Sequence, residues 1–523
     1  MSRATVRRSR LGPLEVPVAA ALADLADREA VDRLWRRDHT LWAADPTEIR
    51  DRLGWLEVAG HMAGAAEELA AVAASCRADG LTDVVVLGMG GSSLFPEVLA
   101  RSFAPVPGAL RLHVLDSTDP AAVGRIAAQL PGDTTLFLAS SKSGSTIETR
   151  SHLDLFWDRI GRGDRFAVVT DPGSELAALA RERGFRHTFE NPSDIGGRYS
   201  ALSYFGLAPA ALAGLDWGAL IDGAEAVAPS LRRGDPTANA GLQLGAVLGA
   251  AVRAGRDKVT LVLDPRIEAF GLWLEQLLAE STGKAGTGTV PIAGEALGPV
   301  DVYGDDRLFV AIGDVEHPVG LDVLAEEGHP VVELDLDGPL DLGAQCLLWE
   351  VATAICGAVL GIQPFDQPNV AEAKEATAKV LDAATPPTLP STTLTEVLAT
   401  VRPGDYVAVQ AYLDPDDEEV EALEEVRVQL RDELKVATTF GIGPRFLHST
   451  GQLHKGGPPT GVFLQVVGDD QTDAPIPGRP FTFSELKHAQ ADGDLLTLAA
   501  HGLRAARVTT AELVAHVDGE VRS

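Results

Sequence analysis

From Asp83 onward, short apolar runs alternate with helical stretches, and this alternation constrains the fold more than any other feature of the chain. The runs are DVVVLG at 83–88, LRLHVLD at 110–116, TTLFLAS at 134–140 and FAVVT at 166–170. Ala- and Leu-rich helical segments lie between them. Strand–helix alternation with continuously apolar strands predicts a parallel sheet covered on both faces. A helical stretch around 205–255 interrupts the pattern. It resumes with KVTLVLD at 258–264, RLFVAIG at 307–313 and HPVVELD at 329–335. Two doubly wound parallel sheets are therefore expected.

The flanking parts read differently. Residues 18–36 carry apolar side chains at three- and four-residue intervals, which predicts a helix. Asp45-Pro46 then offers an N-cap and a first-turn proline for a second helical stretch ending near Gly80. Residues 383–402 begin with a Pro/Thr-rich linker. A third α/β segment follows, with strands YVAVQAYL and GVFLQVV around the acidic run PDDEEVEALEEVRVQLRDEL, read as a solvated helix face. The expected organisation is an N-terminal helical segment over 1–80, a first α/β domain over 81–215 and a second over 216–382. A linker over 383–404 and a C-terminal α/β domain over 405–523 complete it. A chain of 523 residues is long enough for several such cores.

Composition removes several classes of function. Lys and Arg total 44 against 75 Asp and Glu, a formal net charge of −31. So acidic a surface disfavours nucleic acid and anionic membrane as partners, while a local pocket can still oppose the global sign for a small anion. Cys76, Cys346 and Cys356 are too few for a disulfide framework or a Cys-rich metal site and are expected to be buried thiols. The basic N-terminus lacks the apolar run of a signal peptide, and no stretch is read as having the roughly 18 apolar residues of a membrane helix. The expected compartment is the cytoplasm.

Two loops at the carboxyl ends of strands suit an anion. LGMGGSSL at 87–94 has neither the dinucleotide glycine spacing nor the lysine of a Walker loop. Gly88, Gly90 and Gly91 nevertheless permit a sharp turn, and Ser92 and Ser93 add hydroxyl donors. SSKSGSTIET at 140–149 gathers six hydroxyl side chains, one glycine and one lysine where open α/β sheets bind ligands. Hydroxyls and backbone N–H groups can hold a phosphate monoester without a metal.

Chemistry-bearing residues follow. Arg198, in IGGRYS, stands beside two glycines that allow close approach to a substrate, and its guanidinium can face an oxyanion. Glu280 ends the amphipathic helix GLWLEQLLAESTGK, where the helix dipole disfavours negative charge and so suits a base. Gln276, one turn earlier, shares a face with it. Lys374 lies seven residues after Gln367 in QPFDQPNVAEAK. His448 and His454 lie in the Gly-rich run RFLHSTGQLHKGG. No H-x-x-x-H or H-E-x-x-H pairing occurs, so no metal site is expected.

Taken in order, LGMGGSSL, SSKSGSTIET, IGGRYS, EQLLAESTGK and FDQPNVAEAK resemble the phosphoglucose isomerase (glucose-6-phosphate isomerase) family over roughly residues 80–380. The C-terminal part with LHSTGQLHKGG is similar to the isomerase half of bacterial transaldolase–isomerase fusions, without the transaldolase barrel. The resemblance implies two sugar-isomerase-type α/β domains and a metal-free, cofactor-free interconversion of glucose 6-phosphate and fructose 6-phosphate, a step of glycolysis and gluconeogenesis. It implies that Gly91 and Ser92 form the first glycine–serine turn, and that Ser141, Lys142, Ser143, Ser145 and Thr146 belong to the phosphate loop. It further implies that Arg198 stabilises the enediolate, that Glu280 moves the proton, that Gln276 and Gln367 lie near the substrate, and that Lys374 assists ring opening. The family's ring-opening histidine normally precedes that lysine. Here His317 and His329 stand there in unrelated contexts, which leaves the role to His448 or His454, with His448 favoured. A dual phosphoglucose/phosphomannose isomerase and a non-catalytic sugar-phosphate-binding regulator are the alternative readings. Oligomeric state is left open.

Overall fold

The computed structural model describes residues 4–315, 320–383 and 385–519; His317 lies outside them. The strands are β1 (Val6–Arg10), β2 (Asp83–Leu87), β3 (Arg111–Leu115), β4 (Thr135–Ser140), β5 (Phe166–Thr170), β6 (His187–Glu190), β7 (Lys258–Leu263), β8 (Val290–Ile292), β9 (Arg307–Ile312), β10 (Val331–Leu334), β11 (Tyr406–Tyr412), β12 (Ala437–Ile442), β13 (Gly461–Val467) and β14 (Arg504–Val508). They form three sheets, ordered β3-β2-β4-β5-β6, β1-β10-β9-β7-β8 and β12-β11-β13-β14. Every pairing is parallel except that of β1 with β10. Parallel neighbours need a crossover connection, and helices supply it. The chain is thus mixed α/β with doubly wound parallel sheets, as the alternation predicts.

Three local readings change. The helix expected over 18–36 is two helices, Glu15–Asp27 and Ala30–Trp35, because Glu29 takes a left-handed conformation between them. Asp45-Pro46 opens a turn in which the Asp45 carboxylate accepts from Thr47; regular helix resumes at Val58–Ala63 and Ala66–Ala78. The basic N-terminal run is the edge strand β1. Its Arg7 and Arg10 pair with Glu333 of β10 at 3.0 and 3.3 Å, so the charges hold the pairing.

The long helix Leu342–Leu360 is buried along almost its whole length. By length and composition Pro339–Leu360 could cross a membrane, contrary to the reading of the sequence, but here it is the core helix of the second domain. It packs on Ala240–Arg253, where Gly241, Gly245 and Gly249 repeat at intervals of four and face Val351, Ile355 and Val359, which also repeat at four. A Cβ on Gly245 would come within 2.5 Å of the Ala352 carbonyl oxygen and 2.7 Å of the Ile355 Cβ. The glycine row lets the two backbones approach to close packing. The three cysteines are free and buried.

The acidic helix Glu418–Leu434 has a buried face as well as the expected solvated one. Arg427 donates to the Ala293 carbonyl at 3.1 Å, and Arg431 lies 3.4 Å from Glu295. The C-terminal domain is fastened to the second one through these arginines.

Gly245→Val should overpack the helix contact and cost about 1–3 kcal/mol, read as a lower thermal midpoint. Gly60→Ala, where a Cβ would meet nothing within 4 Å, should leave the midpoint unchanged or raise it.

Candidate functional site

The glycine turn after β2 is a meeting point of three segments. Gly90 has φ of +55°, and a Cβ there would lie 2.7 Å from the His448 carbonyl oxygen and 2.9 Å from Gln276 Nε2. A Cβ on Gly91 would lie 2.0 Å from the Gly197 carbonyl oxygen. Only residues without a side chain let the turn carrying Arg198 and the turn carrying His448 close on this loop. Ser92 is buried in the same turn, and Ser93 Oγ donates to Asp116.

The hydroxyl loop leaves β4 and enters the helix Ile147–Ile160. Ser141 Oγ lies 2.9 Å from Thr146 Oγ1, and Ser143 Oγ lies 3.0 Å from Ser145 Oγ. Ser143 and Ser145 are exposed, and the following helix directs the positive end of its dipole at the loop. Lys142 is turned elsewhere: its Nζ donates to Asp171 at 2.5 Å and to the Ser193 carbonyl at 2.8 Å. In this structure it ties the loop to its neighbours through these two contacts.

Arg198 is buried, 3% exposed, and almost every N–H of its fork is engaged. Nε donates to Ser281 Oγ at 2.9 Å, Nη1 to Gln367 Oε1 at 2.9 Å, and Nη2 to the Pro364 and Asp366 carbonyls at 2.8 Å each. Nη1 also lies 3.2 Å from Glu280 Oε1. Glu280 occupies the last turn of Phe270–Thr282, so the helix end presents its carboxylate to the guanidinium. Gln276, one turn back on the same face, donates to Glu280 Oε2 at 3.0 Å and to the His448 carbonyl at 2.9 Å. Arg198, the Gln276–Glu280 helix face and Gln367, from three separate stretches of the chain, form one cluster of hydrogen bonds and an ion pair.

The histidines separate. His448 Nε2 lies 2.9 Å from Glu148 Oε1, and the same oxygen accepts from Gln490 Nε2 at 2.7 Å. Thr118 Oγ1 donates to Gln490 Oε1 at 2.7 Å, which sets the amide's direction. Burial pulls the Glu148 carboxyl upward, but the charge and hydrogen bond of His448, with Lys374 adding its charge, bring it down to about 2. Lys374 is exposed on the helix Pro368–Asp382, which begins directly after Gln367. His454 is not part of this cluster. It is buried among the rings of Tyr406, Phe446 and Phe463, and its Nδ1 accepts from Gln410 at 3.1 Å. Burial lowers its pKa well below the ordinary value and keeps the ring neutral, so it is a core histidine. His329 likewise packs against Tyr303 and Phe309, away from this cluster.

Sequence reading missed Glu148 and Gln490. Glu148 stands inside SSKSGSTIET, yet as a lone acid in a helix's first turn it reads as a dipole partner. Gln490 sits mid-helix in Phe483–Ala500 with no local signal. A cleft of about 1020 Å³ is lined by Glu97, Glu275, Arg427 and Thr450 among others, but by none of the clustered residues above.

The family model for phosphoglucose isomerase matches residues 56–305. Glucose-6-phosphate isomerase of Rubrobacter xylanophilus is 33% identical over 58% of this chain and 84% of its own length. That of Thermus thermophilus is 33% identical over 57% of this chain and 83% of its own. Among solved structures, a hypothetical protein, also of Thermus thermophilus, superposes with a TM-score of 0.60 at 27% identity, over 72% of this chain and all of that one. A glucose-6-phosphate isomerase of Chlamydia trachomatis, at 19% identity and TM-score 0.59, covers 69% of this chain and 85% of its own and shares the fold. With the matched segment carrying the glycine turn, the hydroxyl loop, Arg198 and Glu280, the chain belongs to the phosphoglucose isomerase family.

Proposed function

We propose that this protein is a glucose-6-phosphate isomerase, interconverting glucose 6-phosphate and fructose 6-phosphate through an enediolate. The observation that carries the reading is the buried carboxylate of Glu280 held between Arg198, at 3.2 Å, and Gln276, at 3.0 Å. A base beside a fixed cation is what proton transfer through an oxyanion requires.

The substrate phosphate binds the 141–146 loop through Ser141, Ser143, Ser145, Thr146 and backbone N–H groups. His448, oriented by Glu148, and Lys374 open the ring by moving a proton between O1 and O5. Glu280 takes the proton from C2, and the electron pair left behind is delocalised onto the enediolate oxygens facing Arg198. The O2 hydroxyl proton passes to O1 and Glu280 returns its proton to C1, which leaves a ketone at C2 and no net change in the enzyme. Arg198 supplies the charge stabilisation that a metal would otherwise give. Gly91 and Ser92 close the floor of the site, and Gln276 and Gln367 hold its walls.

Purified protein should convert fructose 6-phosphate in an assay coupled to glucose 6-phosphate oxidation. Glu280→Gln should fold normally and lose roughly 10²–10⁴-fold in turnover; near-normal turnover would remove Glu280 as the base. Ser143→Ala with Thr146→Ala should weaken phosphorylated ligands and leave unphosphorylated sugars unchanged, measured by competitive inhibition.

The His448–Glu148 pair has a pH signature. The carboxyl lies at about 2 in the fold against an ordinary 4.5. Its contribution to stability is therefore complete above pH 4.5 and lost as pH falls toward 2. Glu148→Gln should flatten the acid limb of stability in that window, measured by denaturant titration. It should also slow isomerisation of the cyclic sugar more than proton exchange on an open-chain sugar phosphate.

A further inference from the structure

Lys284, at the end of the EQLLAESTGK run, has no role in the mechanism above. It is 6% exposed, and Nζ spends two of its protons on one residue, donating to the Asp366 carboxylate at 2.6 Å and to the Asp366 backbone carbonyl at 2.7 Å. That carbonyl is also one of the two that Arg198 Nη2 contacts, at 2.8 Å. The 364–367 loop therefore has a single oxygen shared by two buried cations, and the next residue, Gln367, presents Oε1 to Arg198 Nη1. Asp366 N is in turn held by Gln363 Oε1 at 2.7 Å. The loop presents three acceptors to the guanidinium, the Pro364 and Asp366 carbonyls and Gln367 Oε1, and Lys284 fastens it at Asp366.

We propose that Lys284 is a positioning residue for the oxyanion step: by clamping Asp366, it holds the loop that fixes the plane of Arg198. The proposal rests on the isomerase reading. It does not make Lys284 a catalytic residue, since its contacts are with Asp366 and not with the reacting atoms. Burial and the neighbouring Arg198 charge bring the ammonium down to about 8 against the pull of Asp366. The positive charge is thus held in place at a cost, which a purely space-filling side chain would not bear. The Asp366 side chain is 27% exposed, so in a variant lacking the lysine, water can solvate the freed carboxylate and the fold can survive.

The test uses the full chain, with fructose 6-phosphate as substrate. Lys284→Met should lower kcat by about 10- to 100-fold, the scale on which a misplaced group costs rate, with KM changed less than about twofold. A hexitol 6-phosphate, which lacks a planar centre, should inhibit as before. A phosphorylated hydroxamate, planar and anionic like the enediolate, should weaken in step with kcat. In an Arg198→Lys background, which has no guanidinium plane to orient, Lys284→Met should cost less than about twofold. Should the methionine variant fail to fold by circular dichroism, Lys284→Gln, which keeps one donor toward the Asp366 carbonyl, takes its place. Its kcat should then lie between wild type and the tenfold loss. Unchanged kcat, equal loss of both inhibitors, or an undiminished effect in the Arg198→Lys background would overturn the proposal while leaving wild-type isomerisation intact. A wild-type protein inactive on every hexose 6-phosphate would instead overturn the isomerase reading, and this inference with it.

Discussion

The buried guanidinium of Arg198 is the constraint on which the rest of the site depends. Burying a charge removes its water, and the loss is made good only if its protons find acceptors in good geometry. Arg198 takes them from three places: Ser281 on the helix that carries Glu280, Gln367 together with the Pro364 and Asp366 carbonyls of one loop, and Glu280 itself. Each acceptor comes from a segment with its own anchors. The helix Phe270–Thr282 is packed into the core, and the loop is tied by Lys284 and Gln363. The Arg198 guanidinium therefore ties its own turn to the helix that carries Glu280 and to the 364–367 loop.

The C-terminal domain is joined to the same centre by polar contacts that are themselves largely buried. Arg445 holds Asp116 with bonds of 2.7 and 2.9 Å, and Lys487 reaches Asp119 at 3.0 Å. Gln452 donates to Asn369 at 2.8 Å and to the Gly283 carbonyl at 2.9 Å. These contacts converge on the start of the helix after β3, on the first turn of the helix that carries Lys374 and on the end of the helix that carries Glu280. The seat they create places His448 against Glu148, 300 residues away in the chain. Removing one member of a buried pair of this kind leaves the other uncompensated, so the docking of the third sheet and the geometry of His448 are coupled.

Family membership and fold do not by themselves explain the chemistry; the arrangement of a few side chains does. The glycine turn matters because Gly90 and Gly91 occupy space that any Cβ would deny to the Arg198 and His448 turns. The hydroxyl loop matters because two of its serines stay exposed while Lys142 is withdrawn into a tether with Asp171. The Glu280 carboxylate and the Arg198 guanidinium lie buried together, where electrostatic interactions are stronger than in water.

Much of this was legible in the residues alone, because it is written in local pattern. The apolar runs became β2, β4, β7, β9 and their neighbours, since a continuous run of branched side chains suits a strand buried on both faces. Gln276 and Glu280 share a face because they are one helical turn apart. The hydroxyl loop was visible because its donors are consecutive. Other features were settled only by tertiary structure. The basic N-terminal run became an edge strand because Glu333 of β10 was there to receive its arginines. Lys142 turned from the loop because Asp171 lies beside it. His454 went into an aromatic core, while His448, six residues earlier, met Glu148. Glu148 itself, a lone acid in a first helical turn, acquired a partner only when the third sheet docked. Periodicity and spacing report which face of an element is apolar and which residues are neighbours along it. Which ends of distant elements meet depends on how three packed layers close on one another, and no local pattern encodes that.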